Sequence, residues 1–474
     1  MASKNVLFDT IQSGVLKPGK YFEYNTRGAV HTLPANEQSV LIVAQRTSGG
    51  SIPALTPMQV FSDSDAAAYF GYGSHAHLMV RAAIRANPYL QISVCALDDS
   101  ASSPVARVQT LAINGPATGS GTFTLYVGNV RYQIGIASAD TAATIAANVK
   151  AALDADPSLP FTVTIATATL TFTAKNKGTV TNQVDFETAI TATGVTATLT
   201  ATTAGTVDPD ISTALASVFA KDYTIIAAPF NDATSLAALK THLDAISGAM
   251  EQRPATGYFG YDGLLASCTT LSSNVNSGRI VNGFLRGTRS PAFEVAAAYA
   301  AVKASEEHPA RPLNYLPLIG IGAPPINQRL SRTEQEACLA NGVAPLEVGP
   351  GEVVQIVRAV TTYTKDPQNI TDRALLDIQS ICVLDYVRKV IRTDIALCFP
   401  RDLLSSKTPP RVRDRILFRL YQLEELEIVE NVAENEPGII VERDEQDSNR
   451  LNAKIPVNIV NGLHVFAGRI DLIL

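Results

Sequence analysis

The chain has 474 residues and a formal charge of −6, with 46% apolar and 17% charged residues. That composition supports roughly two to four packed domains and is too apolar for a disordered chain. No basic cluster, no secretory leader at MASKNVLFDTIQSG and no apolar run of membrane-spanning length occurs, so no nucleic-acid partner, secretion or membrane insertion is expected, and the chain reads as made in a cytosol.

Residues 1–20 form an arm in which Val6, Leu7, Phe8, Ile11, Val15 and Leu16 are interrupted by Gly14, Pro18 and Gly19. From residue 21 the pattern becomes α/β. Segments 39–45 (SVLIVAQ) and 91–97 (QISVCAL) read as strands buried on both faces, with helices over 63–70 and 74–87 between them. Residues 104–207 break this order with a Thr-, Ala- and Val-rich tract. Segments 123–127 and 131–136 flank Gly128-Asn129, a hairpin signal, and a short helix covers 141–153. Alternation with spaced turns makes this tract a mostly β inserted domain in preference to low complexity.

The α/β pattern then resumes. Helices are expected over 213–221, 235–246, 263–271 and 291–305, and strands over 223–228, 256–261 and 280–285. Such alternation implies a mainly parallel, doubly wound sheet, interrupted by the insert and running over 21–103 and 208–330. Next, Ser331 and Glu334 form a capping-box pattern that starts a helix ending at Asn341-Gly342. Segments 345–348 and 352–362 form a hairpin around Gly349-Pro350-Gly351, and helices cover 371–398 and 414–427. On the first of these, Asp385, Arg388, Lys389 and Arg392 share one stripe. The stripe is either a solvated face, with Asp385 and Lys389 paired, or a docking face for an acidic partner.

The tail holds two strand-like runs, 456–460 and 463–474, separated by Asn461-Gly462. His464, Phe466, Ile470, Leu472 and Leu474 fall on one face of the second. Such a strand pairs either with the edge of its own sheet or with a neighbouring subunit.

Motifs for chemistry are absent. No G-x-G-x-x-G stands at a strand-to-helix turn, no Gly-Lys-Ser/Thr triplet and no G-x-S-x-G occurs, so neither a nucleotide cofactor nor a catalytic nucleophile is expected. Cys95, Cys268, Cys338, Cys382 and Cys398 lack CxxC spacing and read as small buried hydrophobes. His75 and His77 have no third ligand nearby and read as a partly exposed helix start, with no metal. Asp98-Asp99 could hold a cation but reads as a solvated boundary of the insert, and Asp208 and Asp210, flanking Pro209, read as a turn at its far boundary.

The blocks YLPLIGI, RTEQEACLANGVAPL, GPGEVVQIVRAVTTY and DIQSICVLDYVRKVIR, in that order, resemble the contractile-tail sheath proteins of bacteriophages, most of all the Mu-like group. That resemblance implies a structural virion-tail protein, assembled in the host cytoplasm and without enzymatic activity. Copies would stack as six-fold rings into a helical sleeve around a tail tube, contacting baseplate and terminator proteins, and contraction would drive the tube through the host envelope. It further implies an α+β C-terminal domain over 331–455 and exchanged terminal strands. The donated arm over 456–474 would present Leu463, Val465, Phe466, Ile470 and Leu472. A receiving hairpin would comprise Gly349, Pro350, Gly351, Val353 and Ile356, and the tube-facing stripe Arg388, Lys389 and Arg392. Two rival readings are an α/β enzyme with an added β domain and a virion-surface adhesion protein whose Thr-rich domain binds host glycans.

Overall fold

The computed structural model describes residues 15–23 and 33–473; the expected N-terminal arm up to residue 14, and Leu474, lie outside them. The α/β domain begins with β1 (Val40–Gln45), β2 (Met58–Val60), α1 (Asp63–Phe70), α2 (His75–Ala86) and β3 (Ile92–Leu97). Ser62 and Ser74 start the two helices, each hydroxyl accepting from a first-turn backbone N–H, on Asp65 and His77 respectively. Every residue of β1 is buried, as a strand covered on both faces requires.

The insert follows as β4 (Val108–Asn114), β5 (Gly121–Val127), β6 (Val130–Ile136), α3 (Ala142–Asp154), β7 (Phe161–Ala166), β8 (Thr169–Ala174), β9 (Phe186–Ile190) and β10 (Thr196–Thr203). Its strands form two antiparallel sheets, ordered β10-β4-β8-β7 and β6-β5-β9. Phe161 and Phe172 from one sheet meet Phe186 from the other, each with ring centroids 5.1 Å from it. The threonines face outward in register: Thr200 opposes Thr110, Thr110 opposes Thr171, and Thr171 opposes Thr164. Alternation with Leu111, Leu170 and Phe172 on the buried side is why this low-variety sequence still specifies a fold.

The remaining elements are α4 (Ile211–Ser217), β11 (Ile225–Ala227), α5 (Ala233–Ser247), β12 (Thr256–Tyr261), α6 (Leu265–Val275), β13 (Ile280–Phe284), α7 (Ala292–Ser305), α8 (Arg332–Ala340), β14 (Ala344–Val348) and β15 (Val354–Ile356). Among the described residues the largest sheet has eight strands, ordered β15-β14-β13-β12-β11-β1-β3-β2. Its six inner strands are parallel, and β2 and β15 run antiparallel at the edges. Helices lie on both faces. A Cβ at Gly257 would meet Leu243 of α5, whereas one at Gly260, of opposite parity, would lie 2.0 Å from the Ala292 carbonyl of α7. Only glycine permits that second approach.

Several boundaries differ from expectation. The segment 331–362, expected in the C-terminal domain, completes the large sheet, because Gly283 pairs with Ala344 and Phe284 with Pro345. The helix expected from residue 371 is α9 (Ile378–Cys398), since the chain before it bridges Lys365 to Thr371 and Val360 to Asp377.

The C-terminal domain continues with α10 (Thr408–Glu425), β16 (Val429–Glu430), α11 (Val432–Asn435), β17 (Ile440–Arg443), β18 (Leu451–Lys454) and β19 (Asn458–Ile459). Helix α10 starts earlier than expected, with prolines in its first turn, where a missing N–H is harmless. Helix α9 belongs to two cores: Ile378 packs in the α/β core, and Val383, Tyr386, Val387 and Val390 pack against Val412, Ile416, Leu420 and Leu423 of α10 in a second.

Candidate assembly surfaces

In open α/β sheets, ligands bind beyond the carboxyl ends of the strands, where the winding direction reverses. Here that point lies between β1 and β11, and the insert fills it. The Gln45 amide nitrogen donates to Asp99 at 2.9 Å and to the Lys177 carbonyl at 2.6 Å, while its oxygen lies 3.0 Å from His75 Nδ1. Asn176 donates to the Arg46 carbonyl at 2.8 Å and accepts from the His75 backbone N–H at 3.3 Å. His75 and His77 are therefore buried, not partly exposed as expected, and burial lowers the His75 pKa to about 3. Asp99 is a hub of this network instead of a solvated boundary. Asp208 accepts from Thr179, and Asp210 caps α4.

A cavity of about 150 Å³ lies beyond β13 and β14, but its arginines are committed: Arg286 to Glu334 at 2.6 and 3.2 Å, and Arg329 to Glu352. Of the cysteines, Cys95, Cys268 and Cys338 are buried as expected, Cys382 is half-buried and Cys398 is exposed.

The expected receiving hairpin does form. Strand β14 pairs with β15, with a turn at Gly349, Pro350 and Gly351, and Gly351 adopts a left-handed conformation. The edge such a receiver would offer beside β15 is already occupied. The Leu318 N–H donates to the Val354 carbonyl at 2.8 Å, the Tyr315 N–H to Ile356 at 2.7 Å, and the Ile356 N–H to Leu316 at 3.1 Å. The outer edge of β15 is thus covered by the chain's own residues, the apolar run just after Asn314. Val353 lies in the turn exit, outside the ladder.

The stripe on α9 faces its own α/β domain. Arg388 donates to the Ser247 carbonyl at 2.8 Å, Lys389 to Ala35 at 2.7 Å and Arg392 to Gln252 at 3.2 Å. These carbonyls lie at and beyond the carboxyl end of α5 and in the segment leading to β1, acceptors that no spacing rule could supply. Asp385 pairs with Arg279 and Arg388, so the expected Asp385–Lys389 pair does not form. Lys389 and Arg392 remain exposed and Arg388 is half-buried.

The tail divides at one residue. Asn458 and Ile459 of β19 pair with Glu430 and Val429 of β16, and Val457 and Ile459 pack on the second core. The run 463–473, expected as a strand, lies in no strand of this chain. Leu463, Val465, Phe466, Ile470 and Leu472 are all exposed, Phe466 at 88% and Ile470 at 97%. Among the described residues β17 and β18 pair only with each other, which leaves two further open edges.

Family models for the phage tail sheath protein central domain and C-terminal domain match residues 204–362 and 371–473. The Mu-like prophage FluMu tail sheath protein of Haemophilus influenzae is 29% identical over 488 residues, 99% of this chain and 100% of that protein. The sheath tail protein of Desulfitobacterium hafniense shares the fold, with a TM-score of 0.52 and 13% identity over 94% of this chain and 97% of its own. A PVC extracellular contractile injection system sheath, solved in its contracted state, does so with a TM-score of 0.51 and 11% identity over 98% of both chains. The parallel-dominated sheet with separate antiparallel sheets, the crevice closed by the insert and the matched domains agree: the chain belongs to the phage tail sheath protein family, a structural and not an enzymatic family.

Proposed function

We propose that the protein polymerises by donating its C-terminal arm to neighbouring copies, building a contractile sleeve around a tail tube. One observation carries this reading: Val465, Phe466, Ile470 and Leu472 form an apolar run that no sheet among the described residues covers. A run of that kind in water is an aggregation hazard unless a partner strand takes it. The outer edges of β17 and β18 are the receiving surface in this scheme, replacing the covered edge of β15. Each exchanged hydrogen bond contributes about 1 kcal/mol net, so a joint is individually modest and collectively continuous over a sleeve. Energy is stored in the difference between two packings, without a nucleotide. The contracted state of the solved PVC sheath, whose fold this chain shares, supports that view.

The copies stack in six-fold rings, with the tube protein inside and baseplate and terminator proteins at the ends. Lys389 and Arg392, exposed on α9, remain the tube-facing cations of the scheme, while Arg388 serves the interior. Electron microscopy of the purified full chain tests the whole reading. Tubes or stacked rings support it; discrete small oligomers at every protein and salt concentration overturn it.

A further inference from the structure

The arm has a sharply defined root. Leu463 and Val465 are exposed, yet the His464 side chain between them is only 16% exposed. Its ring turns back onto the body. The Asn314 amide nitrogen lies 3.0 Å from His464 Nδ1, and since an amide nitrogen can only donate, Nδ1 is the acceptor and the ring proton sits on Nε2. Nε2 faces the Asp377 carboxylate at 3.7 Å. Asp377 is held in turn by Nε and Nη2 of Arg358, at 2.8 and 2.7 Å, and makes no capping bond to α9. Two residues upstream, a Cβ at Gly462 would lie 3.1 Å from Pro312 and 3.2 Å from the His464 ring, so the absence of a side chain lets the turn close.

The three anchors come from different parts of the fold. Arg358 leaves the hairpin just after β15, Asp377 opens α9, and Asn314 precedes the residues that cover β15. All three lie where the α/β domain meets the C-terminal domain.

We propose that His464 is the positioning residue of the arm: it fixes where the donated segment begins and the direction in which it leaves, and it ties that direction to the seating of α9 on the α/β sheet. The proposal rests on strand donation by the arm. His464 lies in no helix or strand and follows β19, so the pin acts on the arm where it leaves the body. With the pin in place the mobile part of the arm starts at Val465. Without it, residues 461–464 must also be ordered when a neighbour takes the strand, and ordering even one further residue costs about as much as a tenfold loss in association.

The test uses the full chain and three variants: His464→Ala, His464→Gln and a deletion of residues 465–474. His464→Ala is expected to leave the unfolding midpoint of the unassembled protein unchanged. It should speed limited-proteolysis cleavage at 461–464 and raise the critical concentration for sleeve formation about tenfold. His464→Gln keeps an acceptor for Asn314 and is expected to recover most of the loss. The deletion is expected to abolish assembly. If it assembles normally, strand donation itself fails. If the deletion blocks assembly while His464→Ala leaves the cleavage rate at 461–464 and the critical concentration unchanged, donation stands and the pin is wrong.

Discussion

Arg279 and Asp385 meet across the seam between the two cores, joined by two hydrogen bonds of 2.7 and 3.0 Å. Their side chains are 12% and 14% exposed, and Arg388 adds a third bond to the same carboxylate at 3.0 Å. Replacing Asp385 with Ala leaves two guanidinium groups facing each other in a half-dry seam. The expected loss is about 2–3 kcal/mol, below the roughly 3–5 kcal/mol of a fully buried broken pair. Urea unfolding of the unassembled protein measures it. Asp385→Asn retains an acceptor and should cost less.

The same seam separates two kinds of stripe variant. Arg388→Glu places a carboxylate beside Asp385 and removes the bond to Ser247, so it should lower stability by about 2 kcal/mol. Lys389→Glu with Arg392→Glu alters exposed groups and should change stability by less than about 1 kcal/mol. If these two cations face the tube, the double variant should fold and form sleeves yet fail to co-assemble with the tube protein in a co-sedimentation assay. Unchanged co-sedimentation would remove them from the interface.

Arm truncation should depend on where it starts. Deleting 465–474 removes a segment whose described residues, 465–473, pack in none of the cores, so the melting temperature should hold while assembly is lost. Deleting from Pro456 also removes Val457 and Ile459 from the second core and unpairs β16. Two apolar side chains of that size are worth about 1.5–3 kcal/mol together when half-buried. Calorimetry and electron microscopy on both truncations distinguish the two effects.

Acid should weaken the α/β domain through His75. Its pKa is lowered to about 3 by burial, so the unfolded chain binds a proton between about pH 6.5 and 3 that the folded chain refuses. Stability from this group is complete above pH 6.5 and falls as pH drops through that window, by up to about tenfold in the folding equilibrium per pH unit. His242, lowered to about 4 by burial with Arg253 adding to it, acts in the same direction. Denaturant midpoints at pH 7 and 5 should therefore differ less in His75→Gln than in the parent chain.

The second core contains one carboxylate that two arginines share. Asp394, 4% exposed, accepts from Arg415 at 2.6 and 2.8 Å and from Arg419 at 2.5 Å. Burial alone would raise its pKa, but these bonds outweigh it and hold the carboxyl below its usual range. Asp394→Ala should cost about 3–5 kcal/mol, and Asp394→Asn less. Limited proteolysis should then cut selectively between α9 and α10.

Much of the architecture was legible because it is written in local pattern. Continuous apolar runs such as VLIVAQ gave the buried parallel strands, Ser331 with Glu334 gave the capping box of α8, and Gly128-Asn129 gave the β5–β6 hairpin. Strand β2, three residues without clear alternation, had no such signature. The β14–β15 hairpin was visible as a hairpin, but its membership in the large sheet rests on the pairing of Gly283 with Ala344, residues far apart in sequence.

The stripe on α9 shows the same division. Its spacing at i, i+3, i+4 and i+7 follows from helix geometry alone, and so does its net positive charge. What it meets is a set of backbone carbonyls from α5, the loop beyond it and residue 35, which helical periodicity cannot encode. By itself the sequence determined most of the helices and buried strands and the apolar character of the tail, because each depends on residues within one or two turns. The tertiary structure alone decided that the crevice beside β1 is plugged, that the edge of β15 is taken and that residues 465–473 join no sheet among the described residues. Those are outcomes of competition between distant segments for the same backbone donors and acceptors, and no local pattern records which segment wins.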